Sequence, residues 1–162
     1  MKVIGVVVGR NKDTEYEHTK LIIEKLLNRG FKVMVPPGGS SCAGLPVIES
    51  STLFKDSDFI ICVGGDGTFL STARKAFAYR KPVLGINKGT VGFLAEVEIS
   101  EIETAIDSLV NGQFRIQPRM VLVATVERNG EKVYENIAIN DAVITRMALS
   151  RILRLMVMID DK

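Results

Sequence analysis

The apolar positions of the chain fall into two rhythms. Up to about residue 116, short Val- and Ile-rich runs alternate with stretches whose apolar residues recur every three or four positions. Lys2 to Val8 is short and rich in Val and Ile, the pattern of a strand buried on both faces. A turn of Gly9 to Asp13 follows, and Thr14 and Glu17 stand at capping-box spacing. Tyr16, Ile23, Leu26 and Leu27 then form one helical stripe, closed by Gly30. His18 lies off the stripe and reads as a surface residue.

Phe31 to Val35 predicts a second strand, stopped by Pro36-Pro37, and residues 38–41 a mobile loop. Within 46–57 the pattern is ambiguous, with a short helix the preferred reading. Asp58 to Val63 predicts a third strand running directly into Gly64-Gly65-Asp66-Gly67-Thr68. Phe69, Leu70, Ala73, Ala76 and Phe77 mark the next helix, and Val83 to Ile86 the next strand. A second glycine-bearing loop spans Asn87 to Gly92. Ser100 and Glu103 suggest a capping box for a helix with Ile102, Ala105, Ile106, Leu109 and Val110 on one face, ended by Gly112.

Beyond that helix the rhythm becomes strand-like. Val121, Val123 and Val126 lead to Asn129-Gly130, a strong hairpin signal because both central positions of a type I′ turn need positive φ. Val133 to Ile139 returns, Ala142 to Thr145 continues, and Ile152 to Ile159 predicts a last strand. The fold class is therefore α/β: a Rossmann-like parallel-sheet domain over residues 1–116, followed by the beginning of an all-β domain over 117–162. So few strands need a further layer, from more chain or from a partner, so the β domain reads as incomplete and the protein as a homo-oligomer.

Composition narrows the chemistry. The 162 residues carry 46% hydrophobic and 25% charged positions, the balance of a water-soluble domain large enough to fold without a metal or disulfide staple. Two cysteines and one histidine cannot build a four-cysteine or Cys2His2 zinc site. Cys62, inside an apolar strand, reads as a buried and inert thiol, and this cysteine usage suggests the cytoplasm. A net charge of +2 makes no case for nucleic acid or an anionic membrane surface. No apolar run approaches the ~20 residues of a membrane span.

The most informative segment is Gly64-Gly65-Asp66-Gly67-Thr68. A strand, a tight glycine turn and a helix start together expose backbone N–H groups and a positive helix end, which suit a phosphate. Asp66 is out of place in a phosphate cradle unless it accepts a proton from a hydroxyl nucleophile or meets a metal ion; as a bland alternative it caps the helix. No Gly-Lys-Ser/Thr follows, so this is not a Walker A loop, and the Gly-x-Gly-x-x-Gly dinucleotide fingerprint is also missing. Phe93 alone fits a core position as well as a ligand surface. Asn140-Asp141 alone fits a strand-end turn, Arg146, Arg151 and Arg154 an exposed basic face, and Arg74 a solvated or ion-paired side chain.

Three motifs in order make a resemblance. Gly64 to Thr68 resembles the Gly-Gly-Asp-Gly-Thr motif of NAD kinases, Asn87 to Leu94 their Gly-x-x-Gly-Phe-Leu loop, and Asn140-Asp141 their Asn-Glu/Asp pair. The first motif alone is shared with lipid kinases and phosphofructokinases. The resemblance implies transfer of the γ-phosphoryl group of ATP, or of polyphosphate, to the 2′-hydroxyl of the adenosine ribose of NAD. It implies Asp66 as the base, with NAD contacted by Asp66, Gly67, Phe93, Asn140, Asp141 and Arg151, and a phosphate loop of Gly64, Gly65, Gly67 and Thr68. Mg2+ would arrive with ATP, with no metal cage of the protein's own, and the partners would be small nucleotides. An aspartate is too weak a base to ionise a ribose hydroxyl in the ground state, but a loose transition state releases the proton late.

Two departures stand beside it. Met147 occupies a position where a smaller residue is expected, and the family's further Gly-Asp-Gly and Thr-Pro-Thr-Gly-Ser segments do not occur. Two other readings therefore accompany the kinase: an inactive fragment that only binds nucleotide, and a lipid kinase of the diacylglycerol kinase type.

Overall fold

The computed structural model describes residues 2–9, 17–37, 44–46, 48–87, 92–145 and 154–160. They form two compact units, Met1–Met120 and Val121–Lys162.

In the first unit, five parallel strands stand in the order β2-β1-β3-β4-β5: β1 (Val3–Val8), β2 (Lys32–Met34), β3 (Phe59–Val63), β4 (Val83–Asn87) and β5 (Val97–Glu98). The connecting helices are α1 (Glu17–Asn28), α2 (Ser50–Asp56) and α3 (Asp66–Phe77), and α4 (Ile102–Asn111) follows β5. Alternation along the strands explains the two layers. Ile4, Val6, Ile61, Val63 and Ile86 share a core with Ile22, Ile23 and Leu26 of α1 and with Ile102, Ile106 and Leu109 of α4. Ile60 and Met34 pack on the other face with Leu53 and Phe54 of α2 and Ala76 of α3. Both faces are covered, which is why the strands read as unbroken apolar runs.

Local signals explain most element ends. Gly30 has φ 79°, and the N–H of Phe31 donates to the Leu26 carbonyl five residues back, closing α1 in a Schellman-type end. Gly112, at φ 68°, closes α4 in the same left-handed region.

Four expectations need correction. The helix after the glycine turn begins at Asp66, three residues before Phe69, because the Gly65 carbonyl already accepts from Thr68 and Phe69. The strand β5 was not anticipated. The capping box forms between Glu98 and Glu101 at a 3-10 turn, Ile99–Glu101, rather than between Ser100 and Glu103. Glu103 instead pairs with Lys25 and Arg29 of α1, and Arg29 also reaches Asp107 at 2.6 Å. Leu27, Phe77 and Val110, placed on apolar stripes by their spacing, sit at the exposed edges of their helices.

The second unit contains one antiparallel pair, β6 (Leu122–Arg128) and β7 (Glu131–Ala138). Asn129 and Gly130 both have positive φ, 53° and 79°, as the type I′ reading requires. Residues 142–145 and 154–159 form no strand, contrary to expectation. Among the described residues no helix is long and apolar enough to cross a membrane. Thr14, the loop at 38–41, Cys42, Met147 and Arg151 lie outside the described residues.

Candidate functional site

Strand order decides where a ligand can enter. The chain passes from β1 outward to β2, then back across to β3 on the other side of β1. The helices after β1 and β3 pack on opposite faces of the sheet, so the strand order reverses between these two strands, and beyond their carboxyl ends is where such sheets take ligands. Gly9 follows β1 and Gly64 follows β3, and they meet there: the Gly9 N–H donates to the Val63 carbonyl at 3.0 Å. The Gly64 N–H donates to the Ile86 carbonyl at 2.9 Å, tying the turn to β4.

These glycines are required by close approach. A Cβ at Gly64 would lie 2.6 Å from Thr68 Oγ1 and 2.9 Å from Thr68 Cβ, and a Cβ at Gly9 would strike the same hydroxyl. Thr68 therefore seats the first turn of α3 directly on the ends of β1 and β3. Gly67 is different: nothing lies within 4 Å of where its Cβ would be, so its exposed backbone faces open space. Gly65 is the N-cap of α3, and no side chain caps the helix. The Thr68 N–H already donates to the Gly65 carbonyl, the first turn has no side-chain cap, and the positive helix end favours an anion.

Asp66 is the first residue of that helix. It does not act as the cap. Its carboxylate accepts two backbone hydrogen bonds from the second glycine loop, Phe93 N–H to Oδ2 at 3.0 Å and Leu94 N–H to Oδ1 at 3.1 Å. The helix end and these two donors together offset the negative charge beside a phosphate cradle. Gly92 makes the approach possible, since a Cβ there would collide with the carboxylate and come within 3.0 Å of its Cγ.

Phe93 is 96% exposed, which removes the core reading; its backbone N–H meets the carboxylate while its side chain is left uncovered. Leu94 is half-buried and Ala95 buried, so the turn is anchored on its far side. Asn87, at the end of β4, is a buried polar residue at this same edge.

Of the expected site residues, Gly64, Gly65, Asp66, Gly67, Thr68 and Phe93 are brought together at one end of the first unit. Asn140 and Asp141 belong to the second unit. Both are exposed, and Asn140 Nδ2 donates to Asp141 Oδ1 at 3.1 Å. The parts that sequence reasoning missed are backbone: the Leu94 N–H and the Gly9 turn. Only the glycine at 92 hinted at the former. The described residues hold no group of three or more His, Cys, Asp or Glu side chains placed for a metal ion.

Comparison with known proteins agrees with the motifs. Residues 50–114 match the family described as the ATP-NAD kinase N-terminal domain. An NAD kinase of Ruminiclostridium cellulolyticum is 37% identical over 163 residues, covering 99% of this chain and 57% of that protein. An NAD kinase of Clostridium kluyveri is 40% identical over 161 residues, covering 99% and 55%. The chain thus spans a little over half the length of these relatives. The crystal structure of yeast NADH kinase complexed with NADH superposes with a TM-score of 0.72 at 17% identity, over 86% of this chain and 47% of that one, a likeness of fold. Nothing in these matches favours a lipid kinase.

Proposed function

Because this chain belongs to the NAD kinase family, we propose that it transfers the γ-phosphoryl group of ATP, or of polyphosphate, to the 2′-hydroxyl of the adenosine ribose of NAD, giving NADP. The observation that carries the reading is Asp66: a carboxylate at an uncapped helix N-terminus, at the reversal point of a parallel sheet, beside an exposed Phe93.

In this reading Gly64, Gly65, Gly67 and Thr68 form the phosphate loop. The backbone at Gly67 has room for a phosphoryl oxygen, and the helix end stabilises its charge. Phosphoryl transfer asks mainly for positioning and charge stabilisation, with late proton removal. Asp66 orients the ribose hydroxyl and takes its proton on a lone pair not used by Phe93 or Leu94. Phe93 presents its face to the adenine of NAD. Gly67, Asn140, Asp141 and Arg151 complete the dinucleotide contacts, so that residues 1–116 serve as the nucleotide-binding domain and 117–162 as part of the NAD-binding β domain.

Mg2+ would enter with ATP. One carboxylate beside a glycine turn suits a cation carried mainly by phosphates and water, where it neutralises phosphate charge. The cytoplasm follows from the cysteine usage. The exposed Leu122, Val123, Val126, Val133 and Tyr134 of the hairpin support a homo-oligomer.

The test is NADP formation from NAD, ATP and Mg2+, read with an NADP-specific dehydrogenase, with Asp66→Asn as control. Turnover should fall by about 10²–10⁴ in the variant, the usual contribution of a positioned general base. Unchanged turnover would remove Asp66 from the base role.

A further inference from the structure

Asp66 does more here than face a ligand. Its two carboxylate oxygens are shared between the N–H groups of two consecutive residues 27 and 28 positions away in sequence. Those two residues, Phe93 and Leu94, differ sharply in burial. Leu94 is half-buried next to buried Ala95, while Phe93 projects into solvent at 96% exposure. An aromatic ring left bare gains by swinging onto nearby apolar surface. The pair of charge-assisted hydrogen bonds fixes the turn's backbone on either side of the Phe93 Cα, and so fixes the direction in which the side chain leaves the turn. Gly92 reinforces the arrangement, because only a residue without Cβ lets the turn close on the carboxylate.

We propose that Asp66 is also the positioning residue of the aromatic platform: its carboxylate, through the Phe93 and Leu94 N–H groups, holds the Phe93 ring out for stacking on the purine of a nucleotide. The inference rests on the kinase reading for the identity of the ligand, but the Asp66–turn coupling is a property of the ligand-free protein. Asp66 then governs ring binding as well as hydroxyl activation. An asparagine cannot do both jobs, since its Nδ2 is a donor and would face one of the two N–H donors.

Two measurements on the intact protein test this. The first is hydrogen exchange of the Phe93 and Leu94 amides without ligand, in the wild type and in Asp66→Asn, with the amides of Ile61 and Val63 as the folding control. Exchange at 93 and 94 should speed up about tenfold, as expected for the loss of one charge-assisted bond, while the strand amides stay protected. Unchanged exchange at 93 and 94 would overturn the proposal. If strand protection is lost, the same comparison is made with Asp66→Glu, which keeps both acceptors but moves them; it too must loosen 93 and 94 for the proposal to stand.

The second is equilibrium dialysis with NAD on Asp66→Asn, Phe93→Ala and the double variant. Each single change should weaken binding about tenfold or more, and the double should lose clearly less than the two losses combined, because both remove the same stacked ring while Asp66 also keeps its own contact with the hydroxyl. Strictly additive losses would mean that Asp66 acts on the ligand without Phe93, and would overturn the positioning role. If the wild type fails to bind NAD while the exchange result holds, the kinase reading fails and the coupling survives.

Discussion

Gly92 lies so close to Asp66 that no side chain fits between them: a Cβ at 92 would overlap a carboxylate oxygen and stand 3.0 Å from Cγ. The carboxylate cannot move aside freely, because the next two N–H groups of the chain hold it. Gly92→Ala should therefore break at least one of those bonds. We expect a stability loss of about 1–3 kcal/mol from overpacking, and a fall in kcat/KM for NADP formation of about tenfold or more. Urea denaturation and steady-state kinetics measure the two effects. Wild-type values in both would mean that the carboxylate rotates away without consequence.

A second close approach ties α3 to the sheet. Gly64→Ala would put a methyl 2.6 Å from Thr68 Oγ1 and 2.9 Å from Thr68 Cβ, and the first helical turn must lift to make room. Destabilisation of about 1–3 kcal/mol is expected. Removing the hydroxyl relieves the shorter contact, so Gly64→Ala with Thr68→Ala should be more stable than the sum of the single losses. A thermodynamic cycle from denaturant melts decides this, and strict additivity would show that the clash lies elsewhere.

These relationships mark the limit of what was legible in advance. The strands β1, β3 and β4 announce themselves because both faces are buried, so the apolar run is continuous, and Gly30, Gly112 and Asn129-Gly130 signal left-handed backbone by residue type alone. The two-residue β5 carries no such pattern; it exists because Val97 and Glu98 pair with Ile86 and Asn87. Glu103 had the spacing of a capping-box residue, yet Lys25 and Arg29, 78 and 74 positions away, hold its carboxylate, and Glu101 caps instead. The glycine turn and Asp66 stand out in the sequence, but their partners at 93 and 94 are backbone N–H groups, which every residue except proline has. The strands expected at 142–145 and 152–159 had apolar composition but find no ladder among the described residues.

Cys62 should be inert toward thiol reagents. Burial raises its pKa to about 11, only partly countered by the Thr72 hydroxyl 3.6 Å from its sulfur. Under native conditions at pH 8, iodoacetamide labelling followed by peptide mapping should leave Cys62 unmodified, whereas in denaturant it should react. The shift also gives a stability trend. The unfolded thiol ionises near 9.0 and the folded one near 11, so the unfolded state loses its proton first and stability falls as pH rises between those values. Labelling of Cys62 in the folded protein at pH 8 would show that the strand opens there on the labelling timescale.

The ion-pair cluster between α1 and α4 gives the opposite pH trend at the acid end. Lys25 first, and then Arg29, hold the Glu103 carboxyl below its ordinary value of 4.5. A depressed folded-state pKa means that the unfolded chain binds the proton more readily, so stability rises with pH through this range. The contribution of Glu103 is fully present above about 4.5 and disappears as pH falls through the folded-state value. Glu103→Gln removes the charge at every pH. Its urea midpoint should be below that of the wild type at pH 7, and the two should converge at low pH, once the native carboxyl is protonated. The groups are solvent-exposed, so the pH 7 difference should be small and should shrink further in about 1 M salt, where the screening length falls to about 3 Å. A midpoint gap that persists unchanged at low pH would place the effect in packing of the side-chain stem rather than in its charge.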